Sequence, residues 1–209
     1  NLIGSFYLPK NVIICQEFLK SLSKREINCG FAEIIKYSII KSGSFQKKLL
    51  NYDFKNEKKL RDIIKISIKI KSKYANDFKE KSHSRSARSI LNFGHTFGHA
   101  IENSNYYNAS IKHGEAIALG MLLEIKISKK LGYYKGSIDN MINLFRKYNL
   151  PINYRKYLSA KNIKQINTKI KFDKKASNQQ INFICIDKNG GFVKKLSFDK
   201  LEALLNKID

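Results

Sequence analysis

The sequence predicts a mainly α-helical domain of several helices, with a short β-hairpin near its C-terminal end. Two observations support this fold class. Over most of the 209 residues, apolar side chains recur at spacings of three and four, the period of a helix with one buried face. Near the C-terminal end, the apolar run 181–186 precedes a glycine-containing turn and a second apolar pair at 192–193, which is typical of a hairpin.

The first half of the chain begins with a short extended segment and then becomes helical. Residues 11–15 (NVIIC) are rich in β-branched side chains and predict a strand. Helical periodicity begins at residue 17 and continues to residue 39, with a break expected at Cys29-Gly30. Residues 54–81 alternate lysines with apolar residues at helical spacing, which predicts one long amphipathic helix with a solvated lysine face.

The second half predicts four more helices around the hairpin. Residues 88–103 and 114–131 indicate two more deeply buried helices, and 138–148 indicates a shorter helix that stops before a proline. A turn at 189–191 is expected between the two strands. Residues 198–205 predict a closing helix.

The chain is strongly basic. Forty Lys and Arg against 17 Asp and Glu give a formal charge of +23 and a pI near 9.9. Such a charge favours an anionic partner, whether nucleic acid, a membrane surface or a phosphorylated substrate. A composition rich in Lys, Ile and Asn is also what an AT-rich coding sequence produces, whatever the protein does. Because the lysines are spread over most helices rather than gathered on one face among aromatics, we expect no nucleic-acid partner.

Cysteine usage and hydropathy point to a cytoplasmic protein. Cys15, Cys29 and Cys185 are far apart and odd in number, so a disulfide framework or a cysteine-based zinc site is not expected. No apolar run is long enough to cross a bilayer and no signal-peptide pattern opens the chain, so no membrane partner is expected. The opening residues NLIGSFYLP begin with Asn and are typical of the interior of a larger protein, so the chain is expected to be incomplete.

Three of the four histidines lie near one another in the sequence. In the segment RSILNFGHTFGHAIE (88–102), spacings of four, three, four and three place five polar side chains on one helix face. These are Arg88, Asn92, His95, His99 and Glu102. Gly94 and Gly98 form a neighbouring smooth strip that another backbone or a ligand could approach closely. The alternative is a solvated face, but the other surface stripes of this chain consist of lysine.

Two further residues could complete a metal site. His113 precedes an apolar helix, where it either leans toward the preceding helix or caps its own. Glu33 lies three residues before Lys36 among apolar neighbours, as a metal ligand or as half of a surface ion pair. One carboxylate with two or three imidazoles is a ligand set that catalytic zinc uses. Spacing alone leaves open whether His95 acts with His99 or with His113.

The sequence contains three distinctive motifs: GFAEIIKY (30–37), NFGHTFGHAIE (92–102) and HGEAIALGM (113–121). They resemble stretches of the 3-dehydroquinate synthase family. The opening NLIGSFYLP and FDKK (172–175) strengthen a resemblance that covers nearly the whole chain.

The resemblance implies a domain organisation. Residues 17–209 are expected to form the multi-helix metal- and substrate-binding domain of the dehydroquinate synthase-like and iron-alcohol-dehydrogenase-like type. Residues 1–16 would be the last segment of an N-terminal nucleotide-binding domain whose remainder lies outside this chain.

The resemblance also implies an activity. The family converts 3-deoxy-D-arabino-heptulosonate 7-phosphate to 3-dehydroquinate and phosphate, the second step of the shikimate route to chorismate and the aromatic amino acids. It uses NAD and a divalent metal, Zn²⁺ or Co²⁺. The resemblance also implies that the full-length enzyme is a homodimer. Because NAD would bind the absent domain, this chain alone is expected to be inactive.

Individual roles follow from position within the motifs. Glu33, His95 and His113 match the metal ligands of the family. The residues matching groups around the substrate are Lys36, Arg88, Asn92 and His99, with Asn1, Lys73, Lys174 and Lys175 as further substrate-binding residues. In the family these positions place Lys36 near substrate hydroxyls, Arg88 on the carboxylate, and Asn92 and His99 near the phosphate.

The chain departs from the family pattern at one position, and functions other than that of the family are also considered. Ser84 stands where the family has a glutamate four residues before the matching Arg88, so one active-site carboxylate is missing. His83 matches no family role and is expected on a surface loop. The alternatives are a related sugar-phosphate cyclase acting on another heptulose phosphate, a decayed or split descendant without catalysis, and a basic nucleic-acid-binding module.

Overall fold

The computed structural model describes residues 9–53, 56–75, 85, 88–104, 111–157 and 180–208. Seven α-helices and one two-stranded antiparallel hairpin lie within these ranges, which confirms the predicted fold class. The elements are α1 Lys24–Lys41, α2 Ser44–Leu50, α3 Glu57–Ala75, α4 His95–Ser104, α5 His113–Lys130, α6 Ile138–Lys147, β1 Gln180–Asp187, β2 Gly190–Ser197 and α7 Phe198–Leu205. Short 3-10 helices span Gln16–Ser21, Arg88–Asn92 and Arg155–Tyr157.

Helix α5 is the centre of the hydrophobic core. Thirteen of its 18 residues are buried, which is expected of a helix that is apolar on nearly all sides. One side, including Ile117 and Met121, packs into a cluster with α1, α3 and α6. The opposite side, including Leu119 and Leu123, packs into a second cluster with α4, the hairpin and α7. Both clusters therefore depend on the position of this helix.

Helices α4 and α5 approach each other backbone to backbone. A Cβ atom added at Gly120 would lie 2.0 Å from the carbonyl oxygen of Gly94, and one added at Gly98 would lie 2.6 Å from the Cδ1 atom of Ile117. The buried carboxylate of Glu124 accepts a hydrogen bond from the Gly94 N–H at 2.9 Å. The close approach expected at Gly94 and Gly98 is thus made by another helix.

The N-terminal ends of α1 and α5 are held together by a charged pair. Arg25 donates two hydrogen bonds of 2.6 Å to the carboxylate of Glu115, and hydrogen bonding to Arg25 holds the pKa of that carboxyl below its usual value. Gly114 packs against Cys29, whose carbonyl oxygen would lie 2.4 Å from a Cβ at position 114. These contacts fix the spacing of two helices that each carry a candidate ligand.

Two features of the first half of the chain, an expected strand and an expected helix break, are absent from the structure. The strand expected at 11–15 is wrong: the structure assigns no strand there, and Val12, Ile13 and Ile14 are 72%, 91% and 55% exposed. A strand requires a hydrogen-bonded neighbour, and the two described strands pair only with each other. The expected break at Gly30 is also wrong, since α1 runs through it; one exposed glycine costs a helix only about 1 kcal/mol.

The helix expected over 88–103 is divided into two pieces. The 3-10 helix Arg88–Asn92 is followed by a turn, and α4 begins at His95. The turn contains Gly94 with φ of +80°, a conformation that glycine adopts readily and other residues rarely. Arg88 and Asn92 therefore do not continue the face of α4.

The remaining elements follow their predictions closely. Helix α3 lies within the long helix expected over 54–81; residues 54–55 and 76–81 lie outside the described part. The hairpin pairs Asp187 with Gly190, so its loop is the two residues 188–189 rather than 189–191. Helix α2 had no separate prediction. Within the described ranges, no helix combines the length and apolar character needed to cross a membrane.

We expect Gly120→Ala to lower the free energy of unfolding by about 3 kcal/mol, because its methyl group cannot fit against the Gly94 carbonyl without moving α4 away. Gly30→Ala is the matched control, since a Cβ at Gly30 meets nothing within 4 Å. That variant should be more stable than the parent by about 1 kcal/mol. Urea unfolding followed by circular dichroism measures both changes. Equal effects of the two substitutions would contradict the backbone contact.

Candidate metal centre

Three side chains from three helices converge at one point. Glu33 lies in the middle of α1, His95 is the first residue of α4, and His113 is the first residue of α5. One ligand atom from each lies within 4.8 Å of the others. The Oε1 atom of Glu33 is 3.5 Å from Nε2 of His95 and 4.0 Å from Nε2 of His113.

Lys36 occupies the other side of the Glu33 carboxylate. Its Nζ atom lies 2.5 Å from Oε2 of Glu33, and only 4% of its side chain is exposed. The surface ion pair considered from the sequence is therefore largely buried on the lysine side. The two carboxylate oxygens of Glu33 thus have different partners. Oε2 faces the ammonium group, and Oε1 faces the two imidazoles.

Burial and nearby charges shift the pKa values of Glu33, Lys36 and His95. Burial raises the pKa of the Glu33 carboxyl, but the charge and hydrogen bond of Lys36 and the charges of His95 and His113 together outweigh it, and the net pKa lies below the usual value. Burial lowers the pKa of the Lys36 ammonium, and Glu33 offsets part of that effect. Burial, together with the positive charge of Lys36, lowers the pKa of His95 to about 4. His95 is therefore neutral near pH 7, as a metal ligand must be.

Both candidate histidines use Nδ1 for a hydrogen bond outside the cluster. Nδ1 of His95 is 3.1 Å from the carbonyl oxygen of Phe93, in the turn that precedes α4. Nδ1 of His113 is 3.0 Å from Oε2 of Glu102. In each ring the Nε2 atom is the one that faces Glu33.

The three groups fit a divalent metal such as zinc. Ligand atoms about 2.0–2.1 Å from a tetrahedral zinc ion lie roughly 3.4 Å from one another. The separations of 3.5 and 4.0 Å between Glu33 and the two imidazoles are close to that value. Three protein ligands with a fourth position open to solvent is the arrangement of catalytic zinc sites, and the side chain of His113 is 48% exposed.

His99 lies beside this cluster. Its ring centroid is 5.2 Å from that of His95 and 5.9 Å from that of His113. With Glu102 and His113 it forms a second group whose ligand atoms lie within 4.8 Å of one another. Among the described residues, no such group contains both His95 and His99, although their spacing of four favoured that pair.

The other expected substrate-binding residues have different surroundings. Arg88 and Asn92 are exposed at the two ends of the 3-10 helix that leads into the turn before α4. Lys73 is exposed in the last turn of α3. The remaining expected positions lie outside the described residues: Asn1, His83, Ser84, Lys174 and Lys175.

Several residues that shape this region received no role from the sequence. Glu102 was only one member of a polar stripe, and its contact with His113 joins two helices. Arg25 and Glu115 are separated by 90 positions, so no local spacing connects them. Glu124 had a signal in the sequence, because it is an isolated carboxylate in the apolar sequence of α5. The structure shows that it is fully buried.

The sequence comparison identifies the family. The family described as 3-dehydroquinate synthase C-terminal matches residues 30–176. This chain belongs to the 3-dehydroquinate synthase family. Members include the 3-dehydroquinate synthase of Thermoanaerobacter pseudethanolicus, 41% identical over 192 residues, which span 89% of this chain and 51% of that protein. The 3-dehydroquinate synthase of a Sulfurovum species is 35% identical over 192 residues, 91% of this chain and 53% of that protein. The chain thus spans about half the length of the curated relatives it matches.

Solved structures share the same fold. 2-Deoxy-scyllo-inosose synthase, determined with carbaglucose-6-phosphate, NAD⁺ and Co²⁺, has a TM-score of 0.70 and 22% identity, covering 99% of this chain and 58% of that one. The 2-epi-5-epi-valiolone synthase ValA of Streptomyces hygroscopicus subsp. jinggangensis, with NAD⁺ and Zn²⁺ bound, has a TM-score of 0.68 and 18% identity, covering 91% and 53%. The predicted fold type and the family resemblance are therefore confirmed.

We expect His95→Ala to weaken Zn²⁺ or Co²⁺ binding by more than about 100-fold, since it removes a ligand rather than a supporting residue. His99→Ala is the matched control, one helical turn away, and should change the affinity by less than about 3-fold, because His99 shares no ligand group with Glu33. Calorimetric titration of the metal-free chain measures both affinities. If His99→Ala abolishes binding and His95→Ala does not, the ion is held by the second group.

The lowered pKa of His95 predicts a pH dependence of stability in the metal-free chain. The unfolded imidazole takes up a proton near pH 6.5 and the folded one only near pH 4, so the unfolded state binds more protons between these values. The free energy of unfolding should therefore fall as the pH falls from about 6.5 to about 4. In His95→Gln this loss should be smaller, as measured by urea unfolding at pH 6.5 and 5. An NMR titration that places the His95 midpoint near 6.5 would contradict the prediction.

Proposed function

We propose that this chain is the metal- and substrate-binding part of a 3-dehydroquinate synthase, which converts 3-deoxy-D-arabino-heptulosonate 7-phosphate to 3-dehydroquinate and phosphate. The proposal rests on one observation above all. In a chain of this family, one carboxylate and two imidazoles from three separate helices bring their ligand atoms within 4.8 Å of one another. Such a three-ligand set with an open side is suited to catalysis rather than to a purely structural ion.

Glu33, His95 and His113 would hold Zn²⁺ or Co²⁺, the ions present in two proteins of the same fold. Bound there, the ion supplies Lewis acidity toward an oxygen of the substrate, next to the carbon that loses a proton before phosphate leaves. Glu33 can serve this ion through Oε1 alone, since Oε2 remains paired with Lys36.

Lys36 orients the substrate hydroxyls. Its ammonium group is almost fully buried and is fixed by Glu33, so it presents its remaining hydrogen-bond donors from a constant position. A donor fixed before the substrate arrives requires little reorganisation during the reaction.

The two acidic groups of the substrate require cations and hydrogen-bond donors. We assign the carboxylate to Arg88, whose guanidinium can donate two parallel hydrogen bonds. We assign the phosphate to His99 and Asn92. His99 is exposed beside the ligand cluster, and both positions match the family motif. Lys73, Asn1 and one lysine of the Lys174-Lys175 pair complete the proposed substrate site.

The proposal extends to the whole enzyme. Residues 1–16 would end a nucleotide-binding domain, and residues 17–209 would form the domain described above. NAD would be bound mainly by the preceding half, so this chain alone would not turn over substrate. We further propose a cytoplasmic location and a homodimer for the full-length enzyme.

A related cyclase acting on a different sugar phosphate is the second candidate, since proteins with such names share the fold. Arg88 separates the two proposals. The substrate of 3-dehydroquinate synthase carries a carboxylate, whereas carbaglucose-6-phosphate, which 2-deoxy-scyllo-inosose synthase binds, carries none. Loss of Arg88 should therefore reduce turnover of the carboxylate-bearing substrate more than turnover of a sugar phosphate without a carboxylate.

The activity can be tested by fusing this chain to the preceding half of the Thermoanaerobacter pseudethanolicus relative. With NAD and Co²⁺, we expect the fusion to release phosphate from 3-deoxy-D-arabino-heptulosonate 7-phosphate at least about 100-fold faster than from glucose 6-phosphate. Arg88→Ala should reduce kcat/KM for the first substrate by about 100- to 1000-fold. The unfused chain should release none.

Three controls define the outcome of that experiment. The intact relative shows that the assay works, and the His95→Ala fusion shows that the release depends on this chain. A Ser84→Glu fusion restores the carboxylate found in the family. Activity only after this restoration would identify a decayed descendant, and preferential turnover of glucose 6-phosphate would favour the second candidate.

A further inference from the structure

One carboxylate outside the expected ligand set contacts a ligand histidine directly. Oε2 of Glu102, in α4, lies 3.0 Å from Nδ1 of His113, the first residue of α5. Both side chains are only partly covered, with 36% of Glu102 and 48% of His113 exposed. The contact therefore forms at the open side of the metal centre and links two of the helices that build it.

This hydrogen bond selects one tautomer of the neutral His113 ring. An ionised carboxylate can only accept, so the hydrogen between the two atoms belongs to Nδ1. In a neutral imidazole the lone pair is then on Nε2. Nε2 is the atom that lies 4.0 Å from Oε1 of Glu33, on the side where the ion would sit.

The other ligand histidine is arranged in the same way. Nδ1 of His95 lies 3.1 Å from the carbonyl oxygen of Phe93, and Nε2 lies 3.5 Å from Oε1 of Glu33. Two histidines from different helices thus each have an acceptor at Nδ1 and face the same carboxylate with Nε2. In one case the acceptor is a backbone carbonyl and in the other a carboxylate.

We propose that Glu102 is a positioning residue for the metal centre: it holds His113 with Nδ1 protonated and Nε2 directed at the ion, and its negative charge strengthens His113 as a ligand. The proposal rests on the metal site of the proposed function. Carboxylates that accept a hydrogen bond from a ligand histidine typically change metal affinity by 10- to 100-fold when they are removed.

Direct ligation by Glu102 is the competing explanation. His99, Glu102 and His113 form a second group with ligand atoms within 4.8 Å of one another. However, 3.0 Å between Nδ1 and Oε2 is an ordinary N–H···O distance, and a nitrogen that carries this hydrogen cannot bind an ion at the same time. Positioning therefore predicts one ion per chain, whereas direct ligation at a second site predicts two.

Calorimetric titration of Co²⁺ into the metal-free chain tests the proposal. The parent should bind one ion. Glu102→Ala should bind one ion about 10- to 100-fold more weakly, and Glu102→Gln should lose less than about 5-fold because its amide oxygen can still accept from Nδ1. Glu202→Ala, which removes a carboxylate from α7, is the matched control for the loss of charge and should leave the affinity unchanged.

A second measurement needs neither metal nor catalysis. ¹⁵N NMR of the metal-free parent, at a pH where the imidazole is neutral, should show His113 with its hydrogen on Nδ1. In Glu102→Ala the hydrogen should move largely to Nε2, the tautomer that cannot ligate through Nε2. A parent ring with its hydrogen on Nε2 would overturn the proposal even if the alanine variant does not fold.

The outcomes separate this inference from the proposed function. A parent that binds no ion overturns the metal site itself. A parent that binds one ion, with the same affinity in Glu102→Ala, overturns the role of Glu102 and leaves the site intact. Two ions in the parent and one in Glu102→Ala would make Glu102 a ligand and overturn its positioning role.

Discussion

The contact between the backbones of α4 and α5 is the constraint on which the candidate site depends. Gly120 leaves no room for a side chain against the Gly94 carbonyl, so this close packing of the two segments requires glycine there. Glu124 accepts the Gly94 N–H at the same place, which satisfies a donor in the buried turn. His95 follows this turn immediately, and its Nδ1 contacts Phe93 within it. The direction of one imidazole is therefore a consequence of helix packing in the core.

The second constraint is electrostatic and concerns the division of one carboxylate between two functions. A buried ammonium without a partner would be costly, and Lys36 is tolerated because Oε2 of Glu33 lies beside it. Oε1 remains directed at the two imidazoles. Burial of His95, together with the positive charge of Lys36, lowers the pKa of this ring and keeps it neutral. The arrangement keeps the Glu33 carboxyl ionised and His95 neutral, which are the protonation states that a bound ion requires.

The parts of the fold that could be predicted from the sequence are those decided locally. Helix α3 was predictable because its apolar and lysine residues repeat with helical period, and the hairpin because a glycine turn separates two apolar runs. Glycine shows the limit of this reasoning. Gly30 was expected to break a helix and does not, whereas Gly94 lies in a turn that divides one. The difference is tertiary, since the turn at Gly94 is held by Glu124 of α5, whereas a Cβ at Gly30 would meet no described atom of another element within 4 Å.

The same limit applies to the site, and it explains which ligands the sequence could nominate. A spacing of four made His95 and His99 a candidate pair, but both lie in α4, and the ligand group of His95 is completed from α1 and α5. His95 and His113 each open a helix, where the unpaired N–H groups carry partial positive charge. Two such ends beside a cation are unfavourable unless anions compensate them, and Glu33 and Glu102 provide two carboxylates at that point. A divalent ion bound there, together with Lys36, would outweigh these two carboxylates, so the open side would then favour an anionic ligand such as the sugar phosphate of the proposed function.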